Sequence, residues 1–419
     1  MTETTDYLLV GSSHAALEAL AALRMHDARG HVTMVTRERH LPYSPTLLPY
    51  LVSGRVAPQR AWLRDAADLD AQGVDYRTGK ALVALDTEGS IAHFADGSAL
   101  VYRKLLLATG AAPVLPPIAG IDSVPRHVLR TVDDALRLAA AIAGARSAVV
   151  LGGGLVGMHA AENLVAAGLQ VSVVEMNASV LAGYLDARAA AFVERAFAAH
   201  GAHILTGRRV VELAPHGSGA HVVLDDGGTL DADLLLVAAG VRPDLDYLRG
   251  SGVEVDAGVI VDDTMRSSVA NVWAAGDCAQ ARDFYSTAKI LNAIVPDAAE
   301  QGRIAGMAMA GDPQGRVYAG GVPLNTYRFF GRHAVSVGRC TPNGSGALDE
   351  LRVDEGASRY LRAVFDDGRL QGIAGIGEAF DGGVMRQLIM RRVDVSGDVD
   401  RMLADPRATG RELMSRLWR

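Results

Sequence analysis

Three glycines at a fixed spacing carry the first chemical signal. Gly152, Gly154 and Gly157 complete the pattern GxGxxG, and Glu175 ends the next apolar run, Val171-Ser172-Val173-Val174-Glu175. A turn without side chains lets backbone approach a pyrophosphate, and the N–H groups of the helix it opens, at Leu155 and Val156, face the negative charge. A carboxylate at the end of the second strand accepts hydrogen bonds from ribose hydroxyls and repels a 2′-phosphate. Met176 and Asn177 follow it and offer no arginine for such a phosphate. This site therefore reads as one for NAD rather than NADP. Gly240, after the run Leu236-Val237-Ala238-Ala239, is a further candidate at the same nucleotide.

A degenerate copy of the same design lies near the N-terminus. Gly11, Ser13 and Ala16 stand where three glycines would, with His14 and Ala15 between them. Thr36 occupies the slot equivalent to Glu175, and Glu38 comes two residues later. Glu38 is the candidate ribose ligand here, a solvated loop carboxylate being the alternative. His14 reads as a helix-start residue beside the phosphates rather than as a base or a metal ligand. The elements that must position these residues repeat: the strand Tyr7–Val10, a helix to Met25 and the strand Val32–Val35; then Ala148–Leu151, a helix to Ala167 and Val171–Glu175. Each set is the opening strand–helix–strand of a dinucleotide-binding fold, so an α/β protein with two Rossmann-like domains is expected.

The 419 residues suit two or three domains. Hydrophobic residues at 49% and charged residues at 21% are a globular composition. A net charge of −7 argues against a general affinity for nucleic acid or anionic membrane. No apolar run reaches the ~18 residues a membrane helix needs, and the first residues are acidic where a signal peptide would be basic. The 2 cysteines, Cys278 and Cys340, lie far apart, so neither a dithiol nor a metal site is suggested. A cytoplasmic location fits best.

Further motifs complete a family resemblance. A strand runs into Ala108-Thr109-Gly110, and Val241-Arg242-Pro243 follows Gly240. Later comes Asn271-Val272-Trp273-Ala274-Ala275-Gly276-Asp277-Cys278. In that order these resemble the FAD-dependent pyridine nucleotide–disulfide oxidoreductase superfamily over nearly the whole chain. The resemblance implies an FAD domain (1–112 and 241–315) interrupted by an inserted NAD domain (113–240), followed by a C-terminal α+β interface domain (316–419). It also implies that Asp277 binds the ribityl chain of FAD, that Gly276 admits the pyrophosphate, and that Pro45, Thr46, Val83, Thr109 and Gly110 line the flavin site. Cys278 reads as packing. In the C-terminal part, Arg328–Arg339 and Tyr360–Phe365 read as strands, Asp366-Asp367-Gly368 as a turn into Leu370–Gly375, and Val384–Met390 as a helix.

The stretch Tyr43-Ser44-Pro45-Thr46-Leu47-Leu48-Pro49-Tyr50 resembles the segment that carries the single redox cysteine of coenzyme A disulfide reductases and NADH oxidases, with Thr46 in the cysteine's place. Threonine forms no thiolate, sulfenic acid or mixed disulfide, so cysteine-relay chemistry is not expected. Ferredoxin-type reductases carry a Lys–Glu pair near the flavin; alignment puts Tyr50 at the Lys position and His159 at the Glu position. Losing both charges together avoids leaving one buried alone. Tyr50 and His159 are thus candidates to line the nicotinamide pocket, space-filling being the alternative.

With no thiol relay and no acid–base cluster for an organic substrate, the chain suits conversion between hydride and single electrons. It resembles the FAD/NAD-binding electron-transfer subunits of phenylglyoxylate dehydrogenase-type 2-oxoacid:acceptor oxidoreductases. That resemblance implies an iron–sulfur or ferredoxin-like redox partner, within a heteromeric complex or as a homodimer. Two readings compete with it: a self-contained NADH oxidase or small-acceptor reductase, and an FAD/NAD-sensing interaction protein.

Overall fold

The computed structural model describes residues 3–340, 347–378 and 380–417. Its contacts divide into two compact units. The first takes the chain up to Leu47, then Val56–Ala112 and Val241–Gly321; the second takes Leu48–Arg55, Pro113–Gly240 and the chain from Val322 onward.

The first unit is built on a parallel sheet in the order Val74–Arg77, Val32–Val35, Glu3–Val10, Ala99–Leu107, with Val272–Ala274 beyond. Leu8, Leu9, Val10, Leu105, Leu106 and Leu107 are buried, as strands covered on both faces require. An antiparallel hairpin, Leu82–Asp86 with Ile91–Phe94, extends the sheet from Ala99–Leu107. The helix His14–His26 buries Ala15, Ala16, Leu17, Ala19, Leu20, Ala22 and Leu23. It packs on the helix Val295–Ala310 with almost no side chain between them. A Cβ on Gly302 would collide with the Ala15 carbonyl oxygen, and one on Gly306 with that of Ala19. Small residues on both helices therefore set the closeness of this contact, and through it the position of the first nucleotide turn.

The second unit holds a four-stranded parallel sheet, His203–Thr206, Gln170–Glu175, Ser147–Leu151 and Leu234–Val237. A three-stranded antiparallel sheet over Val210–His216, Gly219–Leu224 and Thr229–Ala232 adjoins it; its alternating pattern was not singled out in the sequence. The C-terminal part is a five-stranded antiparallel sheet with helices at Gly382–Met390, Val399–Ala404 and Pro406–Arg416.

One expected element is corrected. Arg328–Arg339 is not a single strand but parts of two, Leu324–Phe329 and Arg332–Gly338, joined by a two-residue turn. Phe330 and Gly331 both have positive φ, 44° and 80°, as the tightest hairpin turns demand. A phenylalanine is an unusual choice there, and tertiary contacts hold it. The Phe330 N–H donates to the Glu162 carboxylate at 2.8 Å, and its ring stacks on His200 with centroids 3.8 Å apart. The helix expected at Val384–Met390 starts two residues earlier because Asp381 caps it through Gly383 and Val384.

Candidate functional site

The turn after Ser147–Leu151 shows two kinds of glycine. Gly152 has φ +107°, and a Cβ there would strike the Ala238 carbonyl; one on Gly157 would strike the Gly152 carbonyl. Those two positions are dictated by the fold itself. Gly154 is different. It precedes the helix Leu155–Ala166 with φ −75° and ψ −179°, an extended backbone open to any residue, and a Cβ there would meet nothing within 4 Å. Nothing in the protein requires glycine at 154, so the space a side chain would fill is available to a ligand.

The same helix start lacks both a side-chain cap and a first-turn acid. By contrast, Thr131 and Asp186 cap the helices Val132–Ile142 and Ala187–Ala199 of the same unit. Uncapped N–H groups and the positive helix end fit a pyrophosphate. Glu175 is only 7% exposed. Its Oε2 accepts from the Gly153 N–H at 2.6 Å, and its Oε1 from the Asn177 N–H at 2.7 Å and from Asn177 Nδ2 at 2.6 Å. The carboxylate therefore stays buried with its hydrogen bonds satisfied and fixes the turn. Val156 is exposed, and Gly240, at φ +108°, is exposed as well.

His159 and Tyr50 fall in this unit too, on Leu155–Ala166 and on the short helix Leu48–Val52. These helices are tied by Asn163 Nδ2, which donates to the Pro49 carbonyl at 2.7 Å. Burial pushes the His159 imidazole down to about 4, partly offset by a hydrogen bond to the Leu155 backbone, so the ring is neutral at pH 7. It stands edge-on to Tyr327 with centroids 4.7 Å apart. Tyr327 is 3% exposed, and its hydroxyl finds no partner among the described residues. Sequence reasoning missed Tyr327, because nothing in an alternating strand marks one tyrosine over its neighbours.

The first unit repeats the design in looser form. Gly11 has φ +119°, and a Cβ would strike the Ala108 carbonyl. Ser13 precedes the His14–His26 helix without capping it; its hydroxyl goes instead to the Tyr43 carbonyl at 3.3 Å. Ala16 is fully buried. Tyr43 donates its hydroxyl to Glu38 at 2.7 Å, holding that half-buried carboxylate near the turn. Gly276 has φ +79° and lies against Ala15, and its N–H donates to Gln301 Oε1 at 2.8 Å. Gln301, buried at 2% exposure, is a residue the sequence did not flag. Asp277 lies close enough to His14 to favour its charged form. Gly11, Ser13, His14, Ala15, Gly276 and Asp277 are thus gathered at one uncapped helix start, and its donors and small residues fit a second dinucleotide.

The remaining candidates are spread along this unit. Thr109 shares a hydrogen bond with Tyr247 at 3.0 Å, and Gly110 has φ +70°. Val83 lies on the strand Leu82–Asp86 and is 50% exposed. Pro45 and Thr46 form a single 3-10 turn, Pro45–Leu47. Thr46 Oγ1 lies 2.8 Å from Ser44 Oγ, which in turn lies 3.0 Å from His14 Nε2.

Cys278 is fully buried with its Sγ 3.3 Å from the Leu107 carbonyl, and burial raises its thiol pKa. Burial also lifts the Cys340 thiol, to about 11. Neither has the character of a reactive thiolate. Among the described residues no group of three or more His, Cys, Asp or Glu could hold a metal ion, and no helix is long and apolar enough to cross a membrane.

Comparison with known proteins gives the family. The family described as pyridine nucleotide-disulphide oxidoreductase matches residues 5–302. The chain is 58% identical over 419 residues to the NADH-dependent phenylglyoxylate dehydrogenase subunit epsilon of Aromatoleum evansii, covering 100% of this chain and 99% of that one. It is 35% identical over 276 residues to the ferredoxin–NAD(+) reductase component of the anthranilate 1,2-dioxygenase system of Burkholderia cepacia, covering 65% of this chain and 67% of that protein. Among solved structures, a ferredoxin reductase from Rhodopseudomonas palustris superposes with a TM-score of 0.81 at 28% identity, over 89% of this chain and 91% of that one.

Proposed function

The chain belongs to the pyridine nucleotide-disulphide oxidoreductase family, and from that premise we propose that it moves electrons between NAD(H) and a protein redox partner as the electron-transfer subunit of a 2-oxoacid dehydrogenase complex. It is an oxidoreductase that uses FAD and NAD(H). The observation that carries the reading is the 58% identity along its full length to a subunit of an NADH-dependent phenylglyoxylate dehydrogenase. The partner is an iron–sulfur or ferredoxin-like protein, and the complex works in the cytoplasm. An oxoacid would be oxidised on another subunit and would not touch this chain.

In this reading residues 1–112 and 241–315 hold FAD, 113–240 hold NAD(H), and 316–419 form an interface domain. The uncapped starts of His14–His26 and Leu155–Ala166 each take one pyrophosphate. Glu38 and Glu175 accept from ribose hydroxyls and Asp277 from the ribityl chain, Glu175 being held in place by Gly153 and Asn177. FAD, when bound, supplies the change from two-electron hydride chemistry to one-electron transfer. Tyr50 and the neutral His159 contribute an uncharged wall to the nicotinamide pocket. Thr46, where related reductases use a cysteine, leaves no covalent relay, so electrons have no thiol to visit on their way out.

The test is kinetic. The purified protein should bleach its flavin on anaerobic addition of NADH, and a one-electron protein carrier should then reoxidise it much faster than air does. Fast steady turnover with air alone would favour a self-contained oxidase instead.

A further inference from the structure

His14, Ser44 and Thr46 form a continuous line of hydrogen-bonding atoms within the first unit. His14 Nε2 stands 3.0 Å from Ser44 Oγ, and Ser44 Oγ stands 2.8 Å from Thr46 Oγ1. Ser44 is 6% exposed and engaged on both sides, Thr46 is exposed, and His14 is half-buried. Each hydroxyl can donate and accept at once, so a proton can pass along the line in either direction. No redox-active side chain takes part.

We propose that this line is a proton relay serving the one-electron half of the reaction: when electrons depart singly Thr46 takes up the proton left behind and His14 passes it to water, and when electrons arrive singly on their way to NAD⁺ the same line brings a proton in. The inference rests on the reading that Thr46 lines the flavin. The stoichiometry leaves a proton for such a route to carry: NADH plus two oxidised one-electron acceptors gives NAD⁺, two reduced acceptors and one H⁺. Hydride brings the proton in, and iron–sulfur carriers do not take it away. In the relay Thr46 Oγ1 accepts this proton and yields its own to Ser44, Ser44 yields its own to His14 Nε2, and the imidazolium loses a proton from Nδ1 to water. Bonds made and broken balance at every step.

The surroundings suit His14 to the task. Burial disfavours its charged form and lowers its pKa, while Glu18, one turn along the same helix, and Asp277, on the segment packed beside the helix start, oppose that shift. Residues 43–46, which bring Ser44 to the ring, carry no formal charge themselves, and the Glu38 carboxylate accepts from the Tyr43 hydroxyl. The ring is therefore neutral at pH 7, with a lone pair free to accept, and the two carboxylates steady the imidazolium that forms in passing.

The test uses the flavin-loaded full chain in anaerobic two-step mixing: NADH first, then excess oxidised ferredoxin, with flavin absorbance followed throughout. The first phase reads the electron-transfer function and the second reads the relay, so failure of one is not mistaken for failure of the other. Ser44→Ala is expected to slow the second phase on the order of tenfold or more, to change its solvent deuterium isotope effect, and to abolish its decline as pH falls through the pKa of His14. Ser44→Thr, which keeps a hydroxyl, should restore both rate and pH dependence. If Ser44→Ala loses its flavin, Thr46→Val measured in the same way carries the test. A second phase in the chosen alanine or valine variant with wild-type rate, isotope effect and pH profile would overturn the relay.

Discussion

Replacing Gly154 and Gly157 by alanine, one at a time, separates ligand requirements from folding requirements within a single turn. At Gly157 an added Cβ runs into the Gly152 carbonyl, a backbone atom that cannot swing aside. Overpacking of this kind costs about 1–3 kcal/mol, which lowers Tm on the order of 5 °C. At Gly154 the Cβ meets no protein atom within 4 Å, and the backbone is already extended. The unfolded-state gain from Gly→Ala and the poorer N-cap propensity of alanine are each a few tenths to about 1 kcal/mol and opposite in sign, so Tm should hardly move. The methyl group does enter the open space at the helix start, which the proposed function gives to a phosphate. Losing one or two hydrogen bonds to a charged phosphate, at about 1.5–3 kcal/mol each, weakens NADH binding roughly 10- to 100-fold or more. Thermal unfolding and NADH titration of the flavin-loaded protein give both numbers from one preparation. Equal losses of Tm in the two variants, or normal NADH affinity in Gly154→Ala, would refute the argument that Gly154 is kept for a ligand.

Other consequences follow from the same structure. Glu175→Gln should narrow the preference for NADH over NADPH, read as the ratio of the two Kd values, because the negative charge that repels a 2′-phosphate is gone; an unchanged ratio would remove Glu175 from that role. His159 binds no proton in the folded state until about pH 4, against about 6.5 for an ordinary histidine. The unfolded chain takes up that proton first, so stability falls as pH drops from about 6.5 to about 4, by on the order of 3 kcal/mol. His159→Phe should flatten that part of a Tm-against-pH curve, and an unaltered slope would show that the acid sensitivity comes from elsewhere. Gly302→Ala should force the helices His14–His26 and Val295–Ala310 apart, costing about 1–3 kcal/mol and lowering the flavin content of the purified protein; full flavin occupancy at wild-type Tm would contradict the packing account. The double variant Cys278→Ala, Cys340→Ala should keep NADH-to-carrier electron transfer, and its loss in a folded, flavin-loaded protein would reinstate a thiol in the reaction.

What the sequence made legible were the features that depend on neighbouring residues. The strands Val32–Val35 and Ser147–Leu151 and the turns at Gly11 and Gly152 announce themselves through local pattern, because a buried parallel strand and a tight nucleotide turn each restrict residue type at every position. The pairing of Gly302 and Gly306 with Ala15 and Ala19 spans most of the chain and leaves no mark at either end, since both segments read as ordinary small-residue helices. The Phe330 turn was hidden for a related reason. Its positive φ is imposed by Glu162 and His200 from distant helices, whereas local turn chemistry would call for asparagine or glycine. At the site, Glu175 was legible because its place after a strand is fixed by the motif. The links through Ser44, Tyr43 and Gln301 were not, because each joins a loop residue to a partner whose nearness only the fold creates.

The central claim is that this chain interconverts hydride on NAD(H) and single electrons on a protein carrier. Its most direct test is anaerobic reduction of the purified flavoprotein by NADH, followed by mixing in parallel with air-saturated buffer and with oxidised ferredoxin. Rapid bleaching, slow recovery in air and recovery at least an order of magnitude faster with ferredoxin are the predicted result. A flavin that NADH does not bleach, or one that turns over rapidly with oxygen and ignores ferredoxin, would contradict it.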